Sequence, residues 1–454
     1  MNRRALLKLS TVASLALLFP KRAEAAKFDF SSVQFSQEKY DANKAQTIII
    51  FLYGAASQLS GNLSNIEEIK KASQSNYDDY FRGVTQTTNK CWQEAGGTHM
   101  EELMANGDMT IFRNCFSKVR DESGSKAHGV CTSQNQKGSF VDDRAGIVSS
   151  LAQVLEDNGV VNENTLMPFV TLEGDSTFYL DGDKPLNGYL KPIGVDEDLN
   201  NPYSRNARAR WYYYTEEERD SAPKTYYNKE SGFDPKFEAT LDALAQSKNK
   251  NKKITNAFTR RESLSDFIEG IESAATPDLG VDAYPQNSSF ARKVETSIKI
   301  AANNPDTKLI TLSSGSLGGW DDHNDAREYV SRMESLFKTL KSAMKHLKVL
   351  GKDKNVNIML FGEFGRNVNL NSALGWDHGN LQNFFVLGGK EYFSHQGVVG
   401  ETVLDDVGAI NRLFLKPKEG SYQFEPMSIA STIYKIYGIE NPEILCDGYA
   451  PVSI

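Results

Sequence analysis

The sequence has 454 residues and little cysteine, histidine or surplus basic charge. Its four cysteines, Cys91, Cys115, Cys131 and Cys446, form no C-x-x-C pair, which excludes a zinc knuckle and a thioredoxin motif. Lys+Arg number 51 against 59 Asp+Glu, a formal net charge of −8, so the basic surface of a general nucleic-acid binder is missing. Neither G-x-x-x-x-G-K-[ST] nor G-x-G-x-x-G occurs, and the nucleotide-cradling loops go with them. A G-x-S-x-G elbow is also lacking, which argues against a serine hydrolase. After residue 25 no apolar run approaches the ~20 residues that a membrane span needs, and no internal repeat is visible.

The N-terminus has a character of its own. Arg3-Arg4-Ala5-Leu6-Leu7-Lys8 precedes a short apolar run from Thr11 to Phe19, and Ala23-Glu24-Ala25 closes the segment. A basic start, a short apolar stretch and a small-x-small end read as a signal peptide over residues 1–25, and the arginine pair reads as a twin-arginine address. Periplasmic or secreted localisation is the expectation. The segment carries five basic residues against Glu24, so the chain without it holds −12. An oxidising compartment makes a disulfide among the four cysteines expected, with three pairings open.

Residues 26–454 read as one α/β domain. Gln46 to Tyr53 is apolar and β-branched without alternation, the pattern of a strand buried on both faces. Similar runs recur at Leu166–Leu172, Lys308–Leu312, Asn357–Phe361 and Asn383–Leu387. Helical spacing lies between them: Ile147, Leu151 and Val154; Val330, Met333, Phe337, Leu340, Met344 and Leu347; and Ile429, Ile433 and Ile436, with Gly438 as a C-cap. Such alternation predicts a mostly parallel sheet flanked by helices. Residues from about 175 to 290 are polar and rich in Asn, Lys and Tyr, including Trp211 to Tyr214, and read as an insertion over that sheet.

Ligands of parallel sheets sit beyond the carboxyl ends of the strands. Three segments there carry chemistry. After the Lys308 strand come Asp321 and His323, one residue apart and able to aim at one point from an extended loop. Carboxylate with imidazole suits a divalent cation such as zinc or manganese; alternatively Asp322 or Asn324 caps the helix that follows. After the Asn357 strand come Glu363 and Arg366, one suited to a cation and the other to an anion. Before the Asn383 strand, Asp377 and His378 form a second Asp/His pair between glycines. His99, His346 and His395 lack such surroundings and read as structural or surface residues.

These segments resemble a known family. Gly318-Gly319-Trp320-Asp321-Asp322-His323 is similar to its Gly-Gly-Trp-Asp-Thr-His motif, Glu363-Phe364-Gly365-Arg366 to its Glu-Phe-Gly-Arg motif, and Asp377-His378-Gly379 with Gly388-Gly389 to its Asp-His-Gly and Gly-Gly end. The family is domain of unknown function 1501, exported proteins placed in the alkaline phosphatase/sulfatase-like superfamily. The resemblance implies an alkaline-phosphatase-like central sheet with metals at the strand ends. It implies metal-ligand roles for Asp321, His323, Asp377 and His378, with Glu363 as a further ligand. The cation would be Zn, Mn, Mg or Ca.

Two departures stand out. The family usually has Gly-Gly-Ala-Asp after its first strand; here Gly54-Ala55-Ala56-Ser57 puts an uncharged Ser57 in the place of the Asp. Its Ser-His is replaced by Ala127-His128, which leaves Ser125, Cys131, Thr132 and Ser133 as nucleophile candidates. Catalytic roles are expected of Arg366, Ser133 and His128. Two functions follow: a metal-dependent hydrolase of phosphate or sulfate esters, acting on an anionic small molecule or glycan ester, and a non-catalytic exported protein that keeps the fold and a degenerate metal site for binding a partner. Neither involves nucleic acid or, once the signal is removed, a membrane span.

Overall fold

The computed structural model describes residues 28–71, 76–182, 185–195, 274–406 and 412–453, with isolated positions between 197 and 271. The signal peptide expected over 1–25, the Trp211 to Tyr214 cluster and most of the insertion expected at about 175–290 lie outside the described residues.

Ten strands are described. They are β1 (Gln46–Leu52), β2 (Met109–Phe116), β3 (Phe169–Thr171), β4 (Ile193–Gly194), β5 (Leu309–Ser313), β6 (Val356–Gly362), β7 (Leu381–Gly388), β8 (Gly397–Val399), β9 (Thr402–Asp406) and β10 (Leu413–Pro417). The first eight form one sheet in the order β4-β3-β5-β1-β6-β7-β2-β8, and β9 and β10 pair as a separate antiparallel ribbon. β4, β3, β5, β1 and β6 run parallel. β7 runs antiparallel to both of its neighbours, β6 and β2. That reversal brings the start of β7 to the edge where β1, β5 and β6 end.

The long central strands are buried along their whole length, which is why they read as unbroken apolar runs. Their alternate residues feed two cores. Ile48, Ile50 and Leu52 of β1 point into one, with Val294 of helix α4 (Ser289–Asn303) and Met333, Leu340 and Leu347 of α5 (Glu328–Val349). Ile49 and Phe51 point into the other, with Leu151 of α3 (Ile147–Asp157) and Ile429 and Ile433 of α6 (Met427–Ile436). Two further helices matter below: α1 (Gln37–Asn43) before β1, and α2 (His128–Lys137) after β2. Gly438 follows α6 with φ 88°, a left-handed position that suits glycine.

The described start of the insertion belongs to the sheet: Phe178 is buried against Phe51, and β4 adds an edge strand beside β3. The expected disulfide is not formed. All four cysteines are free and buried. Cys91 lies in one core, Cys115 and Cys446 in the core across the sheet, and Cys131 apart with Ala55 and Phe364. The sheet separates Cys91 from the other layer, and burial pushes the Cys91 thiol up to about 11.

Candidate functional site

The site is built where β1, β5 and β6 end, β7 begins and α2 starts. Each connection there is pinned by a buried anchor. In the loop after β5, Trp320 is buried and its indole N–H donates to Ser314 Oγ at 2.6 Å. Asp322 turns inward to a nearly buried ion pair with Arg332 of α5. Neighbours of an extended residue face the other way, so Asp321 and His323 point outward together. Asp322 therefore anchors the loop instead of capping α5, whose N-terminus has no side-chain cap. At the end of β1, Gly54 has φ 101°, and a Cβ there would lie 2.6 Å from the Asp321 nitrogen. Only glycine lets these two loops touch.

Arg366 ties the loops together. Its side chain is fully buried. Nε donates to Ala55 C=O at 2.7 Å, Nη1 to Trp376 C=O at 3.1 Å, and Nη2 to Gly54 C=O and to Asp321 Oδ1, the latter at 2.5 Å. Four of the five N–H groups of this fork go to backbone oxygens and Asp321, so the guanidinium clips the loops together. Burial works against the charged Asp321 carboxyl, but the Arg366 hydrogen bond and charge outweigh it and hold its pKa below the usual carboxylate range.

Around this clip three imidazoles converge. His323 Nε2 is 2.9 Å from His378 Nε2 and 3.3 Å from Asp321 Oδ1. His128 Nε2 is 3.4 Å from the same oxygen and has no hydrogen-bond partner, although it is buried. The donor atoms of His128, Asp321, His323 and His378 all lie within 4.8 Å of one another. The other ring nitrogens decide the tautomers. His378 Nδ1 lies 2.6 Å from the Lys126 carbonyl oxygen, which can only accept, so Nδ1 carries the proton. His128 Nδ1 faces Glu363 Oε2 at 2.5 Å, and His323 Nδ1 faces Asp377 Oδ1 at 3.3 Å. Carboxylates are likewise acceptors. Burial, reinforced by Arg366, lowers the His378 pKa to about 4 and keeps that ring neutral. Three Nε2 atoms and one carboxylate oxygen thus face one space. Arg366 Nη1, 3.3 Å from His323 Nε2, borders one side of it.

Lone pairs 2.9 Å apart repel unless a proton or a cation lies between them. Three imidazoles and a carboxylate, each ring held from behind by an oxygen acceptor, form a donor set that suits a divalent cation such as zinc or manganese. The charge of Arg366 opposes a cation here, and Asp321 offsets it.

The expected residues divide accordingly. Asp321, His323 and His378 present ligand atoms. Glu363 and Asp377 stand one bond further back and orient His128 and His323; Glu363 also accepts from Gly54 N–H at 2.8 Å, and Asp377 pairs with Arg412 at 3.0 Å. His128, expected to act in catalysis, turns its Nε2 to the same space and belongs to the group that could hold a cation. Sequence reading missed this because His128 has no carboxylate beside it; its link to Glu363 arises only when α2 docks on the end of β6. Ser133 lies five residues along α2, turned about 140° from His128, and no hydrogen bond ties it to the cluster. Ser57 is buried, with its Oγ accepting from Leu59 N–H at 3.4 Å and its C=O accepting from Tyr329 O–H at 2.6 Å. It closes a turn and offers the cluster nothing. His99, His346 and His395 bond elsewhere, to Glu334, Tyr284 and Thr110.

A family model described as "Protein of unknown function (DUF1501)" matches residues 44–403, which include every residue of the cluster. No curated protein matches the sequence. Solved structures with a similar course include the lipoteichoic acid synthase LtaP from Listeria monocytogenes, at 10% identity over 92% of this chain and 80% of that one, TM-score 0.33. Alkaline phosphatase from the Antarctic bacterium TAB5 is 12% identical over 87% of this chain and 98% of its own, TM-score 0.32. The PsFucS1 sulfatase from Pseudoalteromonas sp. is 9% identical over 90% and 73%, TM-score 0.32. These overlaps are loose, and the chemistry of the site rests on its own side chains.

Proposed function

We propose that this chain, which belongs to the DUF1501 family, is an exported metal-dependent hydrolase of phosphate or sulfate esters. One observation carries the reading: three imidazole Nε2 atoms, each with its Nδ1 committed to an acceptor, converge with Asp321 at the carboxyl edge of the sheet. His128, Asp321, His323 and His378 would hold one divalent cation. Bound there, it would supply Lewis acidity to an ester oxygen. The chain supplies the rest. Glu363, Asp377 and the Lys126 carbonyl fix the ring orientations. The first N–H groups of α2, at His128, Gly129 and Val130, have no intrahelical acceptor, and the N-cap Ala127 has no side chain to take them. An anionic ester oxygen beside His128 would be met by those donors. Thr132, one turn along α2 on the face of His128, is the hydroxyl best placed to attack.

A non-catalytic reading has its own support. Arg366 keeps only one Nη1–H, facing His323 Nε2 at 3.3 Å, that is not given to a loop oxygen, and Ser57 puts no charge where the family carries an Asp. Among the described residues no helix is long and apolar enough to cross a membrane.

The test is metal analysis of the purified full-length protein, followed by a screen of aryl phosphates and sulfates with added divalent cations. About one equivalent of metal and turnover of one ester class are expected. Metal without turnover would leave the non-catalytic reading, and a folded protein that takes up no metal would remove both. Export is tested separately: Arg3→Lys with Arg4→Lys should leave precursor in the cytoplasm.

A further inference from the structure

The opposite, amino-terminal edge of the sheet holds a cleft of about 480 Å³ walled by α1 and by the turns that lead into β1, β5 and β6. Four lysines line it: Lys44, Lys308, Lys352 and Lys354. They come from three separate turns, and only Asp41 and Glu391 oppose them. In a chain with a formal charge of −8 this is a local reversal of sign.

The reversal is only partly compensated, by Asp41 and Glu391 in the lining and by the Tyr40 ring, whose centroid lies 5.7 Å from Lys308 Nζ. Lys308 is only 8% exposed. Its ammonium donates to one neutral acceptor, the Pro305 carbonyl oxygen at 3.0 Å, and no described carboxylate lies in ion-pair range of it. An ammonium taken out of water without a counter-charge destabilises a fold. Of the acids nearby, Asp353 pairs with Lys390, while Asp306, which accepts from Leu166 N–H at 3.1 Å, and Asp41, which accepts from the Gln37 amide at 2.9 Å, keep their charge and offset part of the positive potential. Lys44, Lys352 and Lys354, on the rim, likewise make no ion pair with a described carboxylate.

We propose that this cleft is an anion site that takes a compact dianionic oxyanion of the phosphate or sulfate class, with Lys308 at its base and Lys352 and Lys354 at its rim. Charge-assisted donors that gather round one concavity, four lysines against two carboxylates, are what such an ion requires. The cleft is across the sheet from the imidazole cluster and does not depend on the function proposed for that cluster.

The test is a titration of the full-length protein with inorganic phosphate and, separately, inorganic sulfate at constant ionic strength in chloride, followed by calorimetry and by thermal unfolding. The wild type should bind and be stabilised by either oxyanion and not by chloride. Lys308→Met keeps the length of the side chain and removes the buried charge. It should raise the unfolding temperature without phosphate and weaken phosphate binding about tenfold. Lys352→Met with Lys354→Met should weaken binding by a similar factor, and it decides the matter if Lys308→Met fails to fold. Phosphate affinity unchanged in that double variant would place any bound anion elsewhere and overturn the proposal. So would a chloride response equal to that of phosphate.

Discussion

The two edges of the central sheet are opposites in charge and in construction. At the carboxyl edge, acceptors converge: three ring nitrogens and a carboxylate, backed by two more carboxylates and a backbone carbonyl. At the amino edge, lysines converge, and only one of them is buried. The supports differ as much as the charges. Trp320, Glu363 and Arg366 are buried behind the imidazoles and leave them little freedom, whereas Lys44 and Lys354 stand on exposed turns. One edge holds its donor atoms in a fixed arrangement that suits a cation. The other attracts by charge, adapts its long side chains, and will weaken with salt.

The largest expected effect tests whether the carboxyl edge is a cation site at all. His323→Ala with His378→Ala removes two of four ligand atoms and should weaken divalent-metal binding by at least about a thousandfold in calorimetric titration. Lys352→Met with Lys354→Met should leave metal binding unchanged. If both double variants lose metal alike, the two edges are not independent and the contrast fails. Next comes Arg366→Lys. Lysine keeps the charge but cannot reach Gly54, Ala55, Trp320 and Trp376 carbonyls at once, so buried acceptors lose partners. Denaturant unfolding should show a loss of roughly 3 kcal/mol. No loss would mean that the loops hold without the clip.

A smaller effect sharpens the reading of the supports. Asp377→Asn and Glu363→Gln each weaken the hold on one ring from behind without removing a ligand atom. A ten- to hundredfold drop in metal affinity is expected of each, with the fold intact by circular dichroism. A drop as large as that of the double histidine variant would make Asp377 or Glu363 a direct ligand.

What the sequence discloses depends on whether the informative residues are neighbours along the chain. β1, β5, β6 and β7 are buried on both faces and announce themselves as apolar runs. β2 does not, because Arg113 and Asn114 interrupt it; their polar groups are satisfied across the fold, Arg113 at the Gly61 carbonyl and Asn114 at the Tyr422 carbonyl. The Asp321/His323 and Asp377/His378 pairs are visible as local motifs. The antiparallel course of β7, which brings the second pair to the first, is not. His128 reaches the cluster because α2 docks there, and the lysine cleft draws on turns far apart in sequence. Composition cannot forecast such meetings. The cysteines mislead for a related reason: an oxidising compartment would favour pairing, but Cys91 and Cys131 are buried in clusters that hold no other cysteine, and Cys115 and Cys446 share a core without being bonded.

The smallest expected effect guards the comparison against an acid artefact. His346 lies in the last turn of α5, near the amino edge, buried, with Nδ1 3.2 Å from the Tyr284 hydroxyl. Burial lowers its pKa to about 4, partly offset by the charge of Glu295. The unfolded chain, with an ordinary histidine pKa near ~6.5, therefore binds the proton more readily. The contribution is fully present above ~6.5 and is lost as the pH falls towards 4, with roughly 1.4 kcal/mol gone by about pH 5.5. That loss resembles a weakened anion cleft if stability is the only readout, because both act near the same edge. His346→Asn keeps a polar group where Nδ1 lies and removes the titration. Its unfolding free energy should be flatter than that of the wild type between pH 6.5 and 5.5, with phosphate affinity unaltered. If the slope is unchanged, the acid sensitivity comes from another group. If phosphate affinity falls, the amino edge reaches further along α5 than its four lysines.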